Sequence, residues 1–168
     1  MCSCSRARWL GVSSNAPTGC PLARARATAI SPSTTVVHKD VLREAGGFDE
    51  SLPACEDYDL WLRICARHRV LHVPQPLAVR YGGHDDQLSK RHWGMDRFRV
   101  AALEKVLADE TLRPDYRRAA LHMLLEKLGV LIAGARKHGN SDLLQRCETR
   151  HAVHLSALRD LEAATRVA

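Results

Sequence analysis

The sequence lacks the features that mark membrane-spanning and secreted proteins. It contains no run of about 18 apolar residues, the length that a helix needs to cross a bilayer. The segment from Met1 to Trp9 has no apolar core of the kind found in secretory signal peptides, so we expect a cytoplasmic protein. The six cysteines are scattered through the chain, which favours reduced thiols over a disulfide framework.

Lysine is scarce among the basic residues: 5 of the 25 are lysine and 20 are arginine, in a chain with a net charge of +6. Such a charge balance raises the hypothesis of a nucleic-acid-binding protein. However, the arginines are spread over the chain without the signature of a known binding module, so we expect no specific nucleic-acid partner. A basic face would still allow peripheral association with the acidic lipids at the inner face of a membrane.

The chain divides into three zones that differ in composition and in hydrophobic periodicity. Residues 1–28 are rich in Arg, Ala, Ser and Cys without helical or strand periodicity, and we expect them to be poorly ordered. Residues 29–89 alternate short β-branched runs with helical patterns, which predicts an α/β domain. Residues 90–168 carry helical patterns separated by short breaks, which predicts an antiparallel helical extension.

Within these zones the patterns predict three short strands and five helices. The strand candidates are residues 34–37, 70–73 and 77–81. The helices are expected at about 39–45, 56–67, 92–107, 114–137 and 141–164. Gly46 is placed to end the first helix in a left-handed conformation, and Asn140 or Ser141 to cap the last one.

Two adjacent carboxylates, Glu56 and Asp57, open the second predicted helix directly after a polar loop. One interpretation is structural, because the helix dipole and the free backbone N–H groups of a first turn favour carboxylates. The other is functional, because a rigid helix start can hold Asp57 where it removes a proton from a substrate hydroxyl. The local pattern leaves both interpretations open.

A second polar run, Gly82-Gly83-His84-Asp85-Asp86-Gln87-Leu88-Ser89, follows the last strand candidate. Ligands of α/β folds gather at the C-terminal ends of strands. Paired glycines allow a ligand to approach the backbone closely, and a histidine here can bind a metal or a phosphate. The alternative is a polar turn that caps the next helix.

Taken together, these runs resemble the C-terminal half of a bacterial family-2 glycosyltransferase. The resemblance rests on residues 30–37, on Gly-Phe-Asp-Glu…Glu-Asp-x-Asp-x-Trp within Gly46 to Trp61, and on Gly-Gly-His-x-Asp-Gln-Leu-Ser from Gly82. It covers about residues 29–137. It implies an α/β fold, the acceptor-side half of the GT-A nucleotide-sugar-binding sandwich, over residues 29–89.

The resemblance also implies roles for individual residues. Asp57 matches the catalytic base of inverting members, and Glu56 would orient the site. The implied acceptor contacts are Asp49, Glu50 and Trp61. His84 would be a ligand of a divalent Mg or Mn ion, and the other residues on the diphosphate side would be Gly82, Gly83 and Gln87. The implied partners are a nucleotide-sugar donor and a glycan or lipid-linked acceptor.

The donor-binding half of the family, with its Asp-x-Asp motif, has no counterpart before residue 29. We therefore expect a truncated form that is weakly active or inactive alone. A half-domain would expose sheet edges and apolar faces, which favours self-association. The alternative function is a non-catalytic helical module that contacts a protein or a membrane surface.

Residues 1–28 have the composition of GC-rich sequence read out of frame, which suggests a frameshift. We predict that resequencing the locus finds an upstream in-frame coding region with an Asp-x-Asp motif. A locus without that region would overturn the hypothesis of a truncated or frameshifted product.

Overall fold

The computed structural model describes residues 30–70, 75, 77, 79 and 92–167, so the prediction of a poorly ordered segment 1–28 lies outside the described residues. Five α-helices carry the regular structure of the described part, after a short 3-10 turn at Pro32–Thr34. They are α1 (Lys39–Glu44), α2 (Glu56–Arg67), α3 (Asp96–Leu107), α4 (Pro114–Lys137) and α5 (Ser141–Val167).

The predicted α/β fold is wrong. The described residues contain helices and no strand, so they do not form the partial GT-A sandwich that the resemblance implied. Of the strand candidates, residues 34–37 fall in the described part, and Thr34 there completes the 3-10 turn. Candidates 70–73 and 77–81 lie outside the described residues, apart from single positions.

The backbone around Thr35 shows why this prediction failed. Thr35 has the extended conformation of a strand, with φ −118 and ψ 137. Val36, next to it, is fully exposed, and no second strand lies beside it within the described ranges. β-branched residues favour an extended backbone, but much of their strand preference comes from packing against cross-strand neighbours. The local preference was therefore satisfied without a sheet.

The predicted helix ends at Gly46 and Asn140 are confirmed, because such ends depend on local hydrogen bonds. Gly46 follows α1 with φ +77, as predicted, and the N–H of Gly47 donates to the carbonyl of Leu42 at 3.0 Å. This is the hydrogen-bond pattern with which glycine commonly ends a helix. At the start of α5, the Asn140 Oδ1 accepts a hydrogen bond from the N–H of Leu143 at 3.0 Å. Asn140, one of the two predicted residues, is therefore the cap.

One apolar core joins α2 to the three helices that follow it. The seven side chains in it that are at most 1% exposed are Leu62 of α2, Val100 and Leu103 of α3, Ala120, Leu124 and Leu128 of α4, and Cys147 of α5. α2 thus packs with helices that were assigned to the 90–168 extension. The boundary between 29–89 and 90–168 itself stays a prediction.

The opposite side of α2 is also apolar. Leu60, Trp61 and Ile64 are buried there in a second cluster, against partly buried residues of α1 and of the segment before it. The two clusters thus bury α2 on two sides, between α1 and the helices that follow it. α2 is therefore the central element of the described structure.

Charged contacts at helix ends show how the helices run. Arg67 at the end of α2 pairs with Asp109 just after α3, at 3.0 Å. The C-terminal ends of α2 and α3 therefore lie side by side, and the two helices run parallel. Arg136 near the end of α4 pairs with Glu148 near the start of α5, at 2.6 Å, so α4 and α5 run antiparallel. The short turn at Gly139 produces this antiparallel pair.

Glu104 of α3 holds α5 against the bundle. Its carboxylate accepts a hydrogen bond from the Arg150 Nε at 2.9 Å and lies 3.1 Å from the His154 Nε2. Burial raises the pKa of Glu104, but the hydrogen bonds from Arg150 and then His154 outweigh it, so the pKa lies below its ordinary value. Glu104 is therefore held as a carboxylate that ties α3 to α5.

We predict that Leu128→Ala lowers the free energy of unfolding by about 2–5 kcal/mol, because it leaves a cavity at a fully buried position of α4. Val130→Ala, two residues away on the exposed side of α4, is the matched control and changes it by about 0.5 kcal/mol or less. Urea unfolding followed by circular dichroism measures both. Equal effects of the two substitutions would contradict the described orientation of α4.

Candidate functional site

The two carboxylates singled out in the sequence lie in the first turn of α2, where both are partly exposed. The Asp57 Oδ1 accepts a hydrogen bond from the backbone N–H of Tyr58, at 2.7 Å. The Asp57 Oδ2 makes no hydrogen bond with any residue of the described part. Asp57 thus satisfies a helix-start N–H with one oxygen and leaves the other without a partner in the described part, so the structural and functional interpretations are compatible.

The residue before this pair, Cys55, has a conformation that the sequence did not predict. Its φ is +64 and its ψ +23, and it is the one non-glycine residue with positive φ in the described ranges. The thiol is buried and donates to the carbonyl of Met95 across a distance of 3.8 Å. A left-handed conformation costs a residue with a Cβ about 1–2 kcal/mol. This strained residue lies directly before α2, two positions from Asp57.

The contact between Cys55 and Met95 shows that the start of α3 lies next to the start of α2. An aromatic and cationic group occurs there: the Arg97 guanidinium lies 4.6 Å from the Trp93 ring centre and 4.5 Å from that of Phe98. Trp93 is 63% exposed. From the sequence alone, Trp93 and Phe98 are more typical of core packing, so neither the exposure of Trp93 nor its contact with Arg97 was predicted.

The two predicted acceptor carboxylates, Asp49 and Glu50, have different surroundings. The Asp49 Oδ2 accepts a hydrogen bond from the Lys105 Nζ at 2.7 Å, and its Oδ1 accepts two from Ser51, from the N–H at 3.0 Å and from Oγ at 2.6 Å. These hydrogen bonds, the one from Lys105 first, hold the pKa of Asp49 well below its usual range. Glu50 is exposed and forms no ion pair within the described ranges.

Asp59, two residues after Asp57, is 1% exposed and is enclosed by cations. Its Oδ2 accepts hydrogen bonds from the Arg63 Nε at 2.9 Å and Nη2 at 2.6 Å, and the Lys105 Nζ lies 3.3 Å from its Oδ1. The pair Asp57-x-Asp59 therefore does not present two carboxylates to one ligand. Asp57 is at the surface, and Asp59 neutralises charges inside the protein.

Trp61, the third predicted acceptor contact, is 7% exposed and packs in the second apolar cluster of α2. Its indole N–H is buried and has no hydrogen-bond partner in the described part of the chain. The structure does not bring the Trp61 ring to the surface with Asp57. Its acceptor role stays a prediction.

The residues predicted on the diphosphate side, Gly82, Gly83, His84 and Gln87, lie outside the described residues. Within the described ranges, no three side chains of His, Cys, Asp or Glu lie close enough together to hold a metal ion. The described residues alone therefore do not fit the expected divalent ion. We derive no catalytic step through that ion.

A cleft of about 430 Å³ opens at the other end of α2. The C-terminal ends of α1, α2 and α3 line it, and its charged residues are Glu44, Arg63, Arg67, His68, Lys105 and Asp109. Along α2 the cleft is lined by Arg63, Ala66 and Arg67, six to ten positions after Asp57, so it begins roughly 9 Å along the helix from Asp57. The cleft and the predicted base are thus separate features of the surface.

The strain at Cys55 gives a testable prediction. Cys55→Gly and Cys55→Ala both remove the buried thiol, but only glycine adopts a positive φ without a Cβ penalty. We expect Cys55→Gly to be more stable than Cys55→Ala by about 1 kcal/mol. Thermal unfolding at matched concentrations measures the difference. An alanine variant of equal or higher stability would contradict the left-handed conformation.

Comparison with known proteins supports one family. No curated protein and no solved structure matches the chain. A family model described as "Glycosyltransferase like family 2" matches residues 20–109, more than half of the 168 residues. The matched span contains the Glu56-Asp57 pair, the Asp59 contacts and Lys105. The chain therefore belongs to glycosyltransferase-like family 2.

Proposed function

We propose that this chain acts in the transfer of a sugar from a nucleotide-sugar donor to an acceptor hydroxyl, with inversion at the sugar C1. Membership of the family supports a glycosyltransferase-like function. The observation that carries the finer proposal is the position of Asp57: a partly exposed carboxylate at the start of a helix that is buried on both sides. A buried helix holds such a group with little freedom of movement.

In the proposed reaction, the acceptor oxygen attacks C1 of the donor sugar as its proton moves to the Asp57 Oδ2. The new bond joins C1 to the acceptor oxygen, and the bond between C1 and the diphosphate oxygen breaks. The nucleoside diphosphate leaves with that electron pair. The hydrogen bond from the Tyr58 N–H fixes the Asp57 Oδ1, so that Oδ2 is the oxygen available to the proton.

Other residues have supporting roles in this proposal. Glu56 lies next to Asp57 in the first turn and would orient the acceptor. Glu50 is exposed on the preceding loop and would contact a glycan or lipid-linked acceptor. His84, outside the described residues, stays the candidate ligand for a divalent Mg or Mn ion, which would offset negative charge on the diphosphate side.

The location of the reaction is part of the same proposal. None of the helices in the described ranges has both the length and the apolar composition needed to cross a bilayer. We place the chain in the cytoplasm, at the inner face of the membrane if its acceptor is lipid-linked.

We predict that Asp57→Asn lowers the weak nucleotide-sugar turnover expected of this chain by about 10²–10⁴-fold, because the amide cannot accept the acceptor proton. The matched control is Asp142→Asn, which changes an exposed first-turn carboxylate of α5 in the same way. Release of UDP from UDP-glucose, or of GDP from GDP-mannose, in the presence of sugar acceptors measures the rate. Turnover that survives Asp57→Asn at the wild-type rate would contradict the proposed base.

A further inference from the structure

A chain of charged contacts joins α2 and α3 to the loop before α2. The Lys105 Nζ of α3 donates to the Asp49 Oδ2 of the loop at 2.7 Å and lies 3.3 Å from the Asp59 Oδ1 of α2. On the other side of Asp59, Arg63 donates to the carbonyls of Ala45 and of Gly47, the latter at 2.8 Å. Arg63 therefore holds the beginning of the loop, and Lys105 holds its middle.

Arg63 and Lys105 make contacts beyond the ion pair that lies within α2. Asp59 and Arg63 are one helical turn apart, so a pair between them alone would neutralise the buried carboxylate. Arg63 instead extends to two loop carbonyls, and Lys105 adds a second cation that contacts Asp49 as well. The hydrogen bond to Asp49 is the main reason why the pKa of Lys105 lies above its ordinary value. The contacts therefore fix the position of the loop.

The loop held in this way carries the two carboxylates that the resemblance assigned to the acceptor. In the described structure, the side-chain carboxylate of Asp49 accepts hydrogen bonds from Lys105 and Ser51. Glu50 next to it is exposed and has no ion-pair partner in the described part. The same loop leads through the left-handed Cys55 into the turn of Asp57.

We propose that Lys105 is a positioning residue, which acts through Asp49 and together with Asp59 and Arg63 to hold the loop from Ala45 to Ser51 in place. In this arrangement Asp49 is the anchor of the loop, and Glu50 is the residue that meets the acceptor. The anchoring follows from the contacts alone. The part that concerns the acceptor rests on the proposed function.

Hydrogen exchange of the full chain, read by mass spectrometry, tests the anchoring. In Lys105→Met we expect the amides of residues 46–53, apart from Pro53, which has no N–H, to exchange about tenfold faster, the change that loss of one charge-assisted hydrogen bond produces. Lys105→Arg restores slow exchange, because it restores the charge and a donor. Lys137→Met, which removes an exposed lysine at the end of α4, leaves the loop unchanged.

Asp49→Asn is a second route to the same result. It weakens the loop contact and leaves the buried Asp59 paired with both cations, so the bundle keeps its fold. We expect faster exchange in residues 46–53 and unchanged exchange in α4 and α5. Unchanged loop exchange in both Lys105→Met and Asp49→Asn would overturn the proposal, as would an equal acceleration in α4.

Kinetics with UDP-glucose as donor probe and octyl glucoside as acceptor probe test the link to the acceptor. Lys105→Met and Glu50→Gln should each raise the acceptor KM about tenfold with kcat changed less than twofold, as expected for lost positioning rather than lost chemistry. A lower kcat at unchanged KM would overturn the positioning role. If wild type and Asp57→Asn are equally inactive, the proposed function fails, and the exchange measurement still decides the anchoring.

Discussion

The burial of α2 between two apolar clusters is the constraint on which the rest of the structure depends. Leu62 faces the core shared with α3 and α4, while Leu60 and Ile64 face α1 and the segment before it. Because its sides are occupied by packing, α2 can offer functional groups to solvent mainly at its ends. Asp57 lies at one end and the cleft residues at the other. The same burial forces the one charge inside this helix, Asp59, to be paired with cations.

The two ends of α2 differ in charge in the sense that the helix dipole favours. The first turn carries Glu56 and Asp57, near the free N–H groups. At the last turn, Arg67 forms the ion pair with Asp109 that borders the cleft. The Thr111 hydroxyl and then Arg67 donate hydrogen bonds to Asp109 and lower its pKa to about 2. The proposed base thus lies at the N-terminal end of α2. The cleft lies at the C-terminal end, where Arg67 is paired with Asp109.

Predictions that depend on residues close together in the sequence were accurate, and predictions that depend on contacts between distant residues were not. The bounds of α2 and α4 matched because periodic apolar residues and a first-turn proline determine them locally. α3 begins four residues later than expected, at Asp96, because Gly94 has a left-handed φ of +61. The strand at 34–37 failed because strand formation depends on a neighbouring strand that a local pattern does not reveal. The first-turn position of Glu56 and Asp57 was predicted from the sequence, and their roles stay predictions, whereas the left-handed conformation of Cys55 has no signal in residue type.

The contact between Lys105 and Asp49 spans 56 positions of sequence, so a local reading of the chain had no means of finding it. That separation has a consequence for exchanging parts between relatives. Transplanting the segment from Ala45 to Ser51 onto another scaffold would leave its anchor behind unless position 105 travelled with it. A library that exchanges this loop between relatives must therefore exchange the stretch around position 105 together with it.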